Sequence, residues 1–320
     1  MENQLDQFRE VANPHDLPEI FHYWSNRYVR PRLNSVCEAD NIPEFFANAF
    51  FAAAKACSMD SPRFISIGTG DCSVELAVAR RLTEMGLSNF LVECLVSSPE
   101  SANRVESQIR DGGVGTAVVP IVADMNSWQP TPHSYCAAMS HHALHHIMEL
   151  EKLFEAIRYG LAPGGLFATN DMIGRDGHMR WPEALVWIES IWAFLAERYK
   201  YNQQLKRLER NFNNWNCSND GFDGMRTQDL LPLLVDQFHF RSFLAWGGIT
   251  DVFVDRAFGH NFDAASERDR SLIDFIQMLN DRMIDLGVVK PTTMLAVMSM
   301  EPCETQIWRH WTPRFAIRMV

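Results

Sequence analysis

The chain has 320 residues, 47% of them hydrophobic and 22% charged, an ordinary globular composition with material for one elaborated domain or two simple ones. Lysine and arginine total 29 against 40 aspartate and glutamate, and a net charge of -11 leaves no broad basic face for nucleic acid or an anionic membrane. Seven cysteines, odd in number and without a CxxC pair, fit reduced thiols in the cytoplasm better than a disulfide framework or a zinc knuckle.

The polar, acidic N-terminus shows no targeting pattern, and the region to about residue 60 reads as a helical cap whose most apolar helix is FFANAFFAAAKAC. SPRFISIGTG then changes period. Phe64 to Ile67 is a short apolar run opening into a glycine turn, and SVELAVARRLTEMG follows as an amphipathic helix stopped by Gly86. FLVECLV is a second strand, SPESANRVESQIRDGG a helix stopped by Gly112 and Gly113, and AVVPIVAD a third strand ending at Asp124. CAAMS is a fourth strand, ELEKLFEAIRYGL a helix ended by Pro163, Gly164 and Gly165, and LFATND a fifth strand. Alternation over 61–172 predicts an α/β core, a parallel sheet with helices on both faces and its ligand at the carboxyl ends of the strands.

Residues 173–225 are expected to be a helical insert on the substrate side, since Trp187, Ile191, Phe194 and Leu195 recur at helical spacing. Over 226–320, QDLLPLLVDQF and IDFIQMLNDRMIDLG read as helices, HFRSFLAW and TTMLAVMSM as strands, completing a mostly parallel sheet of about seven. The apolar helices around 45–57 and 185–195 suit a core or a homodimer contact equally well.

ISIGTGDCSVE, VADM, ALHHIMELEKLF and LAPGG, in this order and spacing, resemble the nucleotide-binding half of class I S-adenosylmethionine-dependent methyltransferases over about residues 61–172. WSNRYVRPR, NDMIGRDGHMRWPEAL, GFDGMRTQDLLPLL and VFVDRAFG resemble a bacterial subgroup of that superfamily and extend the likeness along most of the chain. The resemblance implies a Rossmann-like fold and methyl transfer from S-adenosylmethionine to a small molecule. It puts Gly68, Thr69 and Gly70 against the methionine part of the cofactor, Asp124 at the adenine amino group and Met125 on the ring. Two positions depart from the family. Ser66 stands where an acid often precedes the first glycine, and Val96 where a carboxylate grips the ribose hydroxyls.

The valine matters energetically. Two charge-assisted hydrogen bonds worth ~1.5–3 kcal/mol each, lost without replacement, weaken binding ~100-fold or more. Glu93 lies ~10 Å back along the strand and on the opposite face, so only Ser97 and Ser98 stand close enough to recover part of it. The alternative is therefore a chain that keeps the fold, has lost methyl transfer, and uses the cleft for other chemistry or as a partner subunit.

SHHALHHIM is the other chemical feature. On a helix His141 with His145, and His142 with His146, would share a face, but the run brings no carboxylate, so no metal is expected. His142 is the expected general base, with His178, His146 and His141 behind it. Arg175, Arg180 and Trp181 lie at the rim after the fifth strand, where an arginine fork suits a substrate carboxylate. Tyr23, Arg27 and Tyr28 form an aromatic and basic cluster suited to a lid. Core packing, helix capping and surface ion pairing explain several of these residues equally well.

Overall fold

The computed structural model describes residues 17–57, 59–112, 117–219 and 223–318. Gly113, Gly221, Phe222 and the first sixteen residues of the expected cap lie outside them. The chain enters through α1 (Glu19–Trp24), a π-helical turn and α2 (Arg30–Cys37), then α3 (Ile42–Cys57). Asn41 starts α3 by accepting the Glu44 N–H at 2.9 Å, while the Glu44 carboxylate reaches back to the Asp40 N–H, a reciprocal cap. Its apolar face, Phe45, Phe46, Ala49, Phe50, Ala53 and Ala54, is buried, so this helix is core and not a free surface.

The alternating core follows: β1 (Arg63–Ile67), α4 (Ser73–Glu84), β2 (Leu91–Val96), α5 (Pro99–Gly112), β3 (Val118–Val122), β4 (Tyr135–His141), α6 (Leu150–Gly160) and β5 (Leu161–Met172). Next come α7 (Pro182–Phe194), the two-residue strands β6 (Tyr201–Asn202) and β7 (Arg207–Leu208), α8 (Thr227–Gln237), β8 (His239–Trp246) and α9 (Asp251–Val254). The chain closes with α10 (Glu267–Asp285), β9 (Thr293–Ser299), β10 (Gln306–Ile307) and α11 (Pro313–Ala316).

The main sheet runs β10-β8-β9-β5-β4-β1-β2-β3, eight strands where about seven were expected, the short β10 being the addition. β1 to β5 pair in parallel, and β9 is antiparallel to both β5 and β8. Successive strand residues serve opposite faces. Phe64, Cys94 and Ala137 join the core under α3, α4 and α5, whereas Ile65, Leu95 and Ala138 join the core under α6 and α8. A third core gathers Ile20 and Trp24 from α1, Ile188 and Trp192 from α7, Phe253 from α9 and Ile273 and Ile276 from α10.

Within the expected helical insert the α-helix runs from Pro182 to Phe194, and single 3-10 turns follow at Glu197–Tyr199 and Cys217–Asn219. The other described residues up to 219 form turns and the β6–β7 pair. The Asn202 carboxamide accepts the Gln204 and Leu205 N–H groups, one of the side-chain contacts that compete with helix here. No helix among the described residues is long and apolar enough to cross a membrane.

Candidate active site

The glycine turn after β1 is shaped by sterics. Gly68 has φ +76, and a Cβ built on it would lie 2.4 Å from the Ala143 Cβ, so the turn requires glycine and presses directly on the segment after β4. The Met125 sulfur lies 3.4 Å from the same point. Gly70 faces open space. Ser66, the departure noted in the sequence, donates to Glu75 of α4 at 2.6 Å, and Thr69 donates to the same oxygen at 3.0 Å. A carboxylate thus lies beneath the loop after all, delivered from the following helix. Burial pushes its pKa up, against the hydrogen bonds of the two hydroxyls.

Val96 is buried within the apolar core at the end of β2. Ser97 is exposed beside it, but Ser98 is committed to α5, accepting the Ser101 N–H at 3.2 Å. Glu93 is taken by Arg63 and Tyr135. Asp124 is exposed and closes its own turn, accepting the Asn126 N–H at 3.0 Å and the Ser127 hydroxyl at 3.2 Å, contacts that hold its pKa below the usual range. Asn126 in turn accepts the Met148 and Glu149 N–H groups, tying this turn to the start of α6.

The histidine run is not one helix. His141 ends β4, His142 takes a left-handed φ of 49, and Leu144 to His146 form one 3-10 turn. The reason lies on β5. Asn170 accepts the His142 N–H through its carbonyl, and the buried Asp171 carboxylate accepts the Ala143 and Leu144 N–H groups at 3.0 and 2.8 Å. The other Asp171 oxygen accepts the Met172 N–H and the His145 Nδ1–H, the latter at 2.5 Å. Burial would raise the Asp171 pKa, but His145 and these donors hold it well below the carboxylate range. Burial lowers the His145 pKa, and the charges of Asp171 and Asp223 outweigh it and raise it.

Gly177 and His178, with φ 65 and 55, make a tight turn after β5. The Gly177 N–H donates to the Gly224 carbonyl at 2.7 Å, and this contact brings Asp223 to the histidines. Its Oδ1 lies 2.9 Å from His178 Nε2, 3.6 Å from His145 Nε2 and 3.7 Å from His146 Nδ1. Burial opposes ionisation of Asp223, and the imidazoles overcome it, lowering the pKa to about 2. His142 retains accessible surface toward the cleft, yet the surrounding walls and His141 depress its pKa far below the ordinary histidine value.

The structure therefore brings together His141, His142, His145, His146 and His178, and adds two carboxylates that the run itself lacks. In the sequence His145 stands out only as a spacing partner of His141, Asp171 only as a residue at the rim of the cleft, and Asp223 not at all. The signal for Asp171 was its place at the carboxyl end of β5. For Asp223 there was none, since only the Gly177–Gly224 contact locates it.

The other expected residues lie in separate clusters. Arg180 pairs with Asp251, and its backbone N–H donates to Asn214 at 2.7 Å. Trp181 carries Arg175 at 5.8 Å and Arg318 at 4.7 Å over its ring, and Arg318 pairs with Glu183. The Tyr23 and Tyr28 hydroxyls donate to Asp274 of α10 at 3.0 and 2.7 Å, with Arg27 3.5 Å from the same carboxylate. A surface recess lined by Val36, Cys37, Phe45, Leu166, Arg241 and Ser242 includes none of these residues.

From β3 to β5 the order 3-2-1-4-5 is that of a doubly wound sheet, with its switch point between β1 and β4, where Gly68 meets Ala143. The fold is Rossmann-like. No family model and no curated protein matches the sequence. A geranyl diphosphate methyltransferase solved with S-adenosylmethionine is 11% identical, covers 92% of this chain and 95% of its own, and has a TM-score of 0.45. The [4+2]-cyclase SpnF is 14% identical over 89% of this chain and 97% of its own, with a TM-score of 0.43. A chain from Methanococcus maripaludis, described as a provisional S-adenosyl-L-methionine-dependent methyltransferase, is 16% identical, with a TM-score of 0.32. The match covers 40% of this chain and 57% of the methanococcal one. These identities carry neither activity nor substrate onto the Rossmann-like chain.

Proposed function

We propose that the chain transfers the methyl group of S-adenosylmethionine to a small-molecule acceptor. The observation that carries this reading is the contact at the sheet's switch point, where the glycine turn at Gly68 and the histidine turn at Ala143 form one wall. The open space over Gly70, the exposed Ser97 and the ionised Asp124 with Met125 beside it fit the two ends of the cofactor. Glu75 supplies beneath the loop the carboxylate that Ser66 lacks. When bound, S-adenosylmethionine supplies an electrophilic methyl group. The chain's part is to align the acceptor and to take its proton. Asp171 fixes the His145 tautomer, and Asp171 and Asp223 together stabilise an imidazolium there, as a buried carboxylate does behind a catalytic histidine. His142, neutral and facing the cleft, orients the acceptor.

A second reading, non-methylating chemistry in the same cleft or a binding subunit, rests on one observation: Val96 is buried in the core and offers the ribose nothing. Calorimetric titration with S-adenosylmethionine and S-adenosylhomocysteine separates the two. Micromolar binding is the expected result, and silence up to millimolar concentration overturns the first reading. In the Val96→Asp variant the carboxylate enters an apolar core, so the free protein is expected to melt at a lower temperature. The cofactor should recover more of that loss than it adds to the wild type; equal ligand shifts would mean that position 96 does not meet the ribose.

A further inference from the structure

The Asp223 cluster has the geometry of a metal site. Its His178 contact of 2.9 Å is a hydrogen bond, but the 3.6 and 3.7 Å separations to His145 and His146 are too long for one. Ligands of a tetrahedral ion with bonds of about 2.0–2.1 Å stand about 3.3–3.4 Å apart, and each of the three separations to Asp223 lies within about half an ångström of that spacing. The ligand atoms of His145, His178 and Asp223 all lie within 4.8 Å of one another. Two further observations point the same way. The outer nitrogen of His145 is held by a buried carboxylate, the arrangement that fixes the tautomer and raises the basicity of metal-ligating histidines. Asp171 and Asp223 also bring two negative charges to one group of imidazoles, a balance that a divalent cation completes. The neighbouring group of His142, His145 and Asp171 is not the site, because both Asp171 oxygens are already occupied by three backbone N–H groups and by His145.

We propose that His145 Nε2, His178 Nε2 and Asp223 Oδ1 bind a divalent ion of borderline softness such as zinc, with the fourth position open to His146 or to an oxygen from the cleft. An acceptor hydroxyl or water on that position would lose its proton near neutral pH. That use rests on the enzymatic reading above and replaces its His145 base, since an Nε2 bound to the ion takes no proton; the binding itself does not rest on that reading.

The test uses untagged full-length protein stripped with chelator and titrated with zinc in the absence of any methyl donor, so its outcome is independent of cofactor binding. One equivalent bound at micromolar affinity or tighter is expected. His178→Ala and Asp223→Asn should each weaken it by at least 10-fold, Asp171→Asn by ~10–100-fold, and His239→Ala, exposed on β8, not at all. Thermal melts confirm that each variant is folded. If Asp171→Asn fails to fold, His146→Ala, which removes only the exchangeable ligand, takes its place with a smaller loss. No binding up to millimolar zinc overturns the proposal, as does equal affinity in the wild type and the double variant of His178 and Asp223. A thiolate-to-cobalt band with cobalt as probe would assign the ion to a cysteine and overturn it as well.

Discussion

Asp171 is the residue on which the histidine turn depends. It is fully buried, and four donors converge on it, so its charge orders the backbone after β4 and sets the state of His145. Its depressed pKa means that its contribution to stability is complete above the ordinary aspartate value near ~3.9 and is lost as pH falls through the folded value. The raised His145 pKa works in the other direction, complete below ~6.5 and lost as pH rises through the folded value. The pair therefore stabilises most between about pH 4 and 6.5. Asp171→Asn is expected to cost about 3–5 kcal/mol at the centre of that window, as removing one partner of a buried pair does. Urea midpoints measured across pH should show the wild-type profile falling on both flanks and the variant's profile flattened. A variant profile parallel to the wild type would mean that other groups carry the dependence.

The turn Asp176–His178 shows how an element can build a site without being visible as one. A Cβ on Gly177 would lie 1.7 Å from the Asn216 oxygen, and a Cβ on Gly224 would lie 3.2 Å from the Gly177 nitrogen, so two backbones meet where only glycine permits it. Gly177→Ala must displace the loop that carries Asp223 and forces alanine into a left-handed conformation, at a cost of ~1–3 kcal/mol. Asn216→Ala should recover part of that loss in the double variant and destabilise the wild type by itself, a coupling read from denaturation midpoints. Additive effects would show that the two loops do not hold each other. This packing also explains what the sequence could and could not reveal. The strands and helices of the core were legible because apolar period and glycine punctuation are local, as in FISIGTG and SVELAVARRL. The spacing of the histidine run fits a helix and does not reveal its bend, because the acceptors that shape it, Asn170 and Asp171, sit on another strand. Asp223 entered the site through a glycine contact that leaves no periodic trace.

At the scale of the whole molecule the unanswered feature is apolar surface away from the cleft. α3 is spent on the core, but α7 buries only one side, leaving Phe194 93% and Val186 61% exposed, and α10 leaves Met278 63% exposed. Isolated apolar residues are ordinary on a surface, and Phe194, on a helix whose other side is already packed, is the residue to test as a contact of the homodimer that the sequence allows. Opposing this is the net charge of -11, which each copy brings to the encounter. The balance makes a specific prediction: light scattering should find a dimer that tightens as added salt screens the repulsion, the reverse of what an interface built on ion pairs would do. Phe194→Glu adds charge and removes apolar area at once, and should weaken association at least 10-fold, about 1.4 kcal/mol, without lowering the melting temperature of the monomer. A wild-type chain that stays monomeric at every salt concentration would leave Phe194 as solvent-facing surface.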